Sequence, residues 1–208
     1  MKITVTLLAL VALAYSAPQP RKLFHEHYED FIDIIMEEAG KDLQELAAEY
    51  VQFEEFRVSL NYMQTSEFKN LVYEMEDLPE FKAEVVQFLE GHNIDIIFFV
   101  NVINDLVDGI QRRSTRSVAS GNDMSSFVKD CISKFPKEKL VALFEEKKAE
   151  DESFKVAMES FELEEWNQIY SALWENEIFK QEVDILLGYG IDVAVLLDEA
   201  VAIMGIFK

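Results

Sequence analysis

Residues 79–99 read PEFKAEVVQFLEGHNIDIIFF and residues 177–197 read EIFKQEVDILLGYGIDVAVLL, one pattern written twice. Phe81-Lys82 faces Phe179-Lys180, Glu84-Val85 faces Glu182-Val183, and Phe88-Leu89 faces Leu186-Leu187, each 98 positions apart. One extra residue in the first copy then moves the offset to 97, where Ile94-Asp95-Ile96 faces Ile191-Asp192-Val193. Upstream, Phe56-Arg57-Val58 returns as Phe154-Lys155-Val156, Leu60 as Met158, Phe68 as Trp166, Leu71 as Ile169 and Met75 as Leu173. Phe31 pairs with Phe127 at an offset of 96. Matches that keep their order at a nearly constant offset through most of both halves indicate an internal duplication.

The matched positions are mainly apolar, and their spacing is helical. Phe53, Phe56, Leu60 and Met63 run i, i+3, i+7, i+10, while Phe81, Val85, Phe88 and Leu89 run i, i+4, i+7, i+8. Asp77-Leu78-Pro79-Glu80 predicts an N-cap, a first-turn proline and a capping-box glutamate, and Asn176 can cap the equivalent helix. Lys134-Phe135-Pro136 opens another helix, and Gly91 and Gly188/Gly190 break the chain before the last helix of each copy. The expected architecture is all-α: two tandem repeats of five or six short helices, residues 17–110 and 127–208, packing as one globular unit. Residues 111–126, with Arg112, Arg113 and Arg116, read as an exposed linker.

Residues 1–16 carry Lys2, an apolar run and small residues at Ala14 and Ser16, which predicts a secretory signal peptide. Pro18, Pro20, Arg21 and Lys22 end that run too early for a membrane span. The chain of 208 residues carries 40 acidic and 19 basic side chains, a net charge of −21 that repels a phosphate backbone and speaks against nucleic acid as a ligand. A single cysteine, Cys131, leaves burial to hold the fold. Cys131 aligns with Ile35 at offset 96 and reads as a buried apolar residue.

The last helix of each copy is apolar nearly all round: ten of the fourteen residues from Ile94 to Val107 are hydrophobic, and Ile191 to Phe207 is similar. Such a helix is expected to be central and covered on every side. Two structures fit, a solid core or a shell enclosing an apolar ligand.

Catalytic and metal chemistry is not expected. His25-Glu26-His27, placed just before the first helix, offers two metal-capable rings and no identifiable third ligand, so it reads as a surface segment. No nucleophile elbow, phosphate loop or H-E-x-x-H motif occurs. Acidic pairs such as Glu145-Glu146 and Glu164-Glu165 read as solvated faces among the 40 acids.

The repeated pattern resembles the insect allergen-related repeat family, of the cockroach group 1 allergen and mosquito midgut microvillar protein type. Three motifs carry the resemblance: Phe56…Phe68…Leu71 with Phe154…Trp166…Ile169, then F-K-x-E-V-x-x-[FL]-L, then I-D-[IV] opening an apolar helix. His92-Asn93 stands where a glycine is more usual before I-D, which concerns the local turn. The resemblance implies a capsule around a large hydrophobic cavity holding fatty acids or phospholipids; with no catalytic constellation in the sequence, neither a cofactor nor enzymatic activity is expected. It also implies secretion into the gut lumen or onto the microvillar surface. On that reading the cavity is lined by Phe56, Phe68, Leu71, Phe81, Val85, Phe88, Ile97 and Phe98 of the first copy. The second copy contributes Phe154, Trp166, Ile169, Phe179, Val183, Leu186, Val195 and Leu196. Partners would be fatty-acyl lipids, with transient membrane contact. The alternatives are a nitrile-specifier-like enzyme modifier and a ligand-free structural microvillar protein.

Overall fold

A computed structural model describes residues 22–109 and 122–207. The expected signal peptide, residue 110 and residues 111–121 of the linker therefore lie outside the described residues. Eleven α-helices and one π-helical turn occur among the described residues, with no strand. The first half holds α1 (Phe24–Tyr50), α2 (Glu54–Met63), α3 (Ser66–Asp77), a π turn (Glu80–Val85) leading into α4 (Val86–Gly91), and α5 (Ile96–Gly109). The second holds α6 (Met124–Lys134), α7 (Lys137–Glu150), α8 (Glu152–Ser160), α9 (Glu164–Glu175), α10 (Glu177–Gly188) and α11 (Val193–Ile203).

The unequal helix count has a local cause. At offset 96, Gly40 and Pro136 are equivalent positions. Proline lacks the N–H that continues a helix and its ring clashes with the preceding turn, so Phe135-Pro136 separates α6 from α7. Gly40 costs helix stability but forms the bond, and α1 runs unbroken for 27 residues. Its stripe Phe24, Phe31, Ile35 and Ala39 is buried, and α6, α7, α8 and α11 pack around it.

The extra residue of the first copy also has a place. Ile94 N–H donates to the Leu89 carbonyl at 2.9 Å, and Ile191 N–H to the Leu186 carbonyl at 3.0 Å. The 97 offset therefore already holds at Leu89, which pairs with Leu186 instead of Leu187. The surplus residue sits upstream, in the π turn Glu80–Val85, where one wide turn absorbs it without breaking the helix. Asp77 is not the expected N-cap: α3 runs through it, and its carboxylate accepts from Lys82 Nζ at 2.5 Å. Asn176 does cap α10, accepting from the N–H groups of Ile178 and Phe179 at 2.9 and 3.0 Å. Residues 124–126, assigned to the linker, form the first turn of α6, capped by Asp123, which accepts from Ser126 N–H at 2.8 Å.

Contacts run between the halves. Phe31 packs on Phe154, and Phe127 on Phe56. The π turn lies against α9, and α10 lies against α3; there Phe88 meets Trp166, and Leu186 joins Phe68 and Leu71 in a second core cluster. Gly205, just past α11, sits where a Cβ would come 2.6 Å from the Leu140 backbone, and its φ of +75° is one that other residues rarely adopt.

The expectation that the chain covers its apolar terminal helices on every side is not met. Ile97, Phe98, Val102 and Ile103 of α5 and Leu196 and Leu197 of α11 stay exposed, with Val102 and Ile103 at 49 %. α11 does bury Val195, Ala202 and Ile203 against α6 and α1, so it is one-sided despite a sequence without a polar face.

Candidate functional site

The sixteen residues assigned to a lipid cavity fall into three groups. Phe56, Phe68, Leu71, Val85, Phe88, Phe154, Phe179, Leu186 and Val195 are buried by protein. Phe81, Trp166, Ile169 and Val183 are half-buried, and Ile97, Phe98 and Leu196 are exposed. The first group is already occupied in packing, whereas the third has apolar atoms free for a ligand. Val102, Ile103 and Leu197 belong with the third group; the sequence signal for them was the all-round apolar helix itself.

Phe88 and Ile169 also come together in an open cleft of about 630 Å³ between the π turn with α4 and α9. Glu84, Gln87, Glu165 and Gln168 edge it, and His92 closes one end with its Nδ1–H donating to the Phe88 carbonyl at 2.8 Å. A smaller hollow of about 220 Å³ lies over Ile132, Val195 and Val201, beside Phe207.

A polar cluster was missed by sequence reading. His25-Glu26-His27 lies inside α1, not before it, and His27 is only 4 % exposed. Its Nε2 is 3.2 Å from Asp151 Oδ2 and its Nδ1 is 3.2 Å from Lys147 Nζ, itself 9 % exposed. Lys147 also binds Asp30, which accepts from Lys22 at 2.6 Å. Burial, then the Lys147 ammonium, hold the His27 ring below its ordinary pKa, against the opposing pull of Asp151. A neutral ring fits both contacts: Nε2–H donates to Asp151 while Nδ1 accepts from Lys147. For Asp151, burial works against the carboxylate, but the N–H groups of Phe154 and Ser153 and the His27 contact together lower its pKa. A signal did exist. His27 lies at i+3 between Phe24 and Phe31, and Lys147 at i+7 from Leu140, so both sit on the apolar faces of their helices.

His25 makes a separate contact, its N–H donating to Asp95 Oδ1 at 3.0 Å and its ring stacked on Phe98 at 3.9 Å. Cys131 is buried like Ile35, and burial, with Glu199 and Asp130 adding, pushes its thiol up to about 12. It is an apolar packing residue, not a nucleophile at neutral pH. No group of three or more metal-capable side chains occurs among the described residues.

No curated protein sequence matches the chain. The profile described as "insect allergen related repeat, nitrile-specifier detoxification" matches residues 23–197. That span takes in both halves of the helical unit, and on it the chain belongs to the insect allergen-related repeat family.

Proposed function

We propose that the chain is a secreted carrier of fatty-acyl lipid acting in the insect gut, its two repeats closing into one unit that shelters the acyl chains. The observation carrying this reading is the set of apolar side chains that the chain leaves uncovered on α5 and α11: Ile97, Val102, Ile103, Leu196 and Leu197. Leaving such groups in water forgoes about 25 cal/mol per Å², and several large apolar side chains left exposed on one helix make it a candidate binding surface. An acyl chain covers them without requiring polar partners, so selectivity would follow chain length more than head group. The contact surface in this reading moves away from the buried phenylalanines and onto the two terminal helices. No helix among the described residues is long and apolar enough to cross a membrane.

Organic extraction of the purified protein followed by mass spectrometry tests the reading. Stoichiometric acyl lipid is expected, and Val102→Glu with Ile103→Glu should lower the lipid content while leaving the urea midpoint nearly unchanged. A protein that carries no lipid and takes up none would turn the assignment towards an enzyme modifier of the nitrile-specifier type or a structural microvillar protein.

A further inference from the structure

His27 and Lys147, buried at the junction of α1 with α7 and α8, meet a balanced set of charges whose other members are partly exposed. Lys22 and Asp30 come from the α1 end of the chain, Lys147 from α7, and Asp151 from the α7–α8 junction, where it caps α8. From α8 itself the group facing His27 is the uncharged Phe154 ring, 5.0 Å away. Two cations and two anions balance only while His27 is neutral. Its Nδ1 must stay unprotonated to accept from Lys147, because an N–H there would point at an ammonium that has only donors.

We infer that His27 is the trigger of a proton-operated clasp between the two halves: taking up one proton at Nδ1 breaks the Lys147 contact and loosens α1 from α7 and α8. The proton comes from solvent and no covalent bond changes. In the protonated state the ring and the Lys147 ammonium, 3.2 Å apart and only 4 % and 9 % exposed, face each other as two positive groups, so one of them must move out. The other histidines do not share this arrangement. His25 faces the Asp95 carboxylate, and His92 faces a backbone carbonyl. The clasp stands independently of any lipid.

The depressed His27 value fixes the direction of the effect. The unfolded chain takes up the proton near pH 6.5 and the folded chain only at lower pH, so stability is full above about pH 7 and falls as pH drops through that window. One proton of linkage changes the unfolding constant by up to about tenfold per pH unit. The test is urea denaturation of the full-length protein at pH 7.5, 6.5 and 5.5, with His27→Gln, His25→Gln and His92→Gln alongside, together with NMR titration of the three rings. A step is expected in the wild type that His27→Gln removes and the other two variants keep, with the His27 ring titrating below its ordinary value. Faster hydrogen exchange in α1, α7 and α8 at pH 5.5 should accompany it. A His27→Gln variant that folds and keeps the whole step would overturn the inference. So would a His27 ring that titrates at or above its ordinary value, a readout that needs no variant.

Discussion

Phe31 of the first half meets Phe154 of the second with ring centroids 6.2 Å apart, and Phe127 of the second meets Phe56 of the first at 5.0 Å. The sequence offsets pair Phe31 with Phe127 and Phe56 with Phe154, so these are two versions of one contact, each made across the halves. Their lids differ. At Phe127 the neighbouring position is Tyr50, whose ring packs on both phenylalanines and whose hydroxyl donates to Asp130 at 2.6 Å. At Phe31 the residue 97 positions after Tyr50 is Lys147, lying over the ring and engaged with His27 and Asp30. The aromatic frame supplies the burial in both places. Only the Lys147 version has a lid engaged with a group whose charge can change as the pH falls, the His27 ring; burial and Asp130 hold the Tyr50 phenol well above its ordinary range.

The largest effect should come from separating the halves. Each half's first helix finds its aromatic partner in the other half, so residues 22–109 or 122–207 produced alone would leave those rings and much of α1 or α6 wet. Neither half is expected to show a cooperative urea transition, and mixing the two should restore one. A half that melts cooperatively by itself would break the cross-pairing account. Next in size, Phe154→Ala and Phe56→Ala should each cost about 3–5 kcal/mol, the range for emptying a buried aromatic site. Phe154→Ala should cost more, because Phe154 touches the rings of Phe24, His27, Phe31 and Phe144, and Phe56 those of Tyr50 and Phe127. Equal urea midpoints would mean that the extra rings add nothing.

The lids give a smaller and pH-dependent contrast. Tyr50→Phe removes one hydrogen bond to the exposed Asp130 carboxylate and should cost about 1.5–3 kcal/mol, the same at pH 5.5 as at pH 7.5. Lys147→Met takes away the cation that opposes protonation of His27, so the ring's pKa should rise and the acid loss should shrink. Thermal melts of both variants at the two pH values check this. A Tyr50→Phe variant whose penalty depends on pH as strongly as the wild-type step would erase the distinction between the lids.

These contrasts also show what a sequence displays and what it hides. The helical faces, the break at Pro136, the cap at Asn176 and the burial of Cys131 with Ile35 depend on near neighbours, and local spacing reveals such features. The continuity of α1 depends on whether Gly40 is tolerated, which is decided by packing around the whole helix. The position of the extra residue was ambiguous because Phe88-Leu89 matches Leu186-Leu187 as well by type as the true pairing does, and only the hydrogen bonds of Ile94 and Ile191 resolve it. His27 was read as part of a surface segment, and Lys147 was not singled out, because charge is ordinarily solvated. Their burial requires each to meet a partner more than a hundred positions away, which no local pattern announces. The exposed side of α5 and α11 was hidden for the opposite reason, since an apolar residue gives no sign of whether protein or ligand covers it.

The smallest expected effect concerns the turn before each terminal helix, where the two halves adopt the same left-handed backbone with different residues. Asn93 has φ of 65° and Gly190 has φ of 76°. Asn tolerates this region better than most residues, so Asn93→Gly removes little strain while making the unfolded chain more flexible. The two terms oppose each other and the net change should stay within about 0.5 kcal/mol. The reverse exchange is not equivalent. At Gly190 a Cβ would come 2.9 Å from Asp123 Cβ and 3.1 Å from Ser59 Oγ, and that hydroxyl already donates to the Tyr189 carbonyl at 2.5 Å. The Gly190 carbonyl is meanwhile held by Ser125 Oγ at 3.0 Å, which fixes the loop against the start of α6. Gly190→Asn should therefore cost about 1 kcal/mol or more through displacement of these neighbours, in the direction of the left-handed strain but added to it. Urea midpoints of the two exchanges, measured side by side, separate the causes. A Gly190→Asn variant as stable as Asn93→Gly would show that backbone conformation alone sets the residue at this turn, and that the close approach of α2 and α6 to it does not.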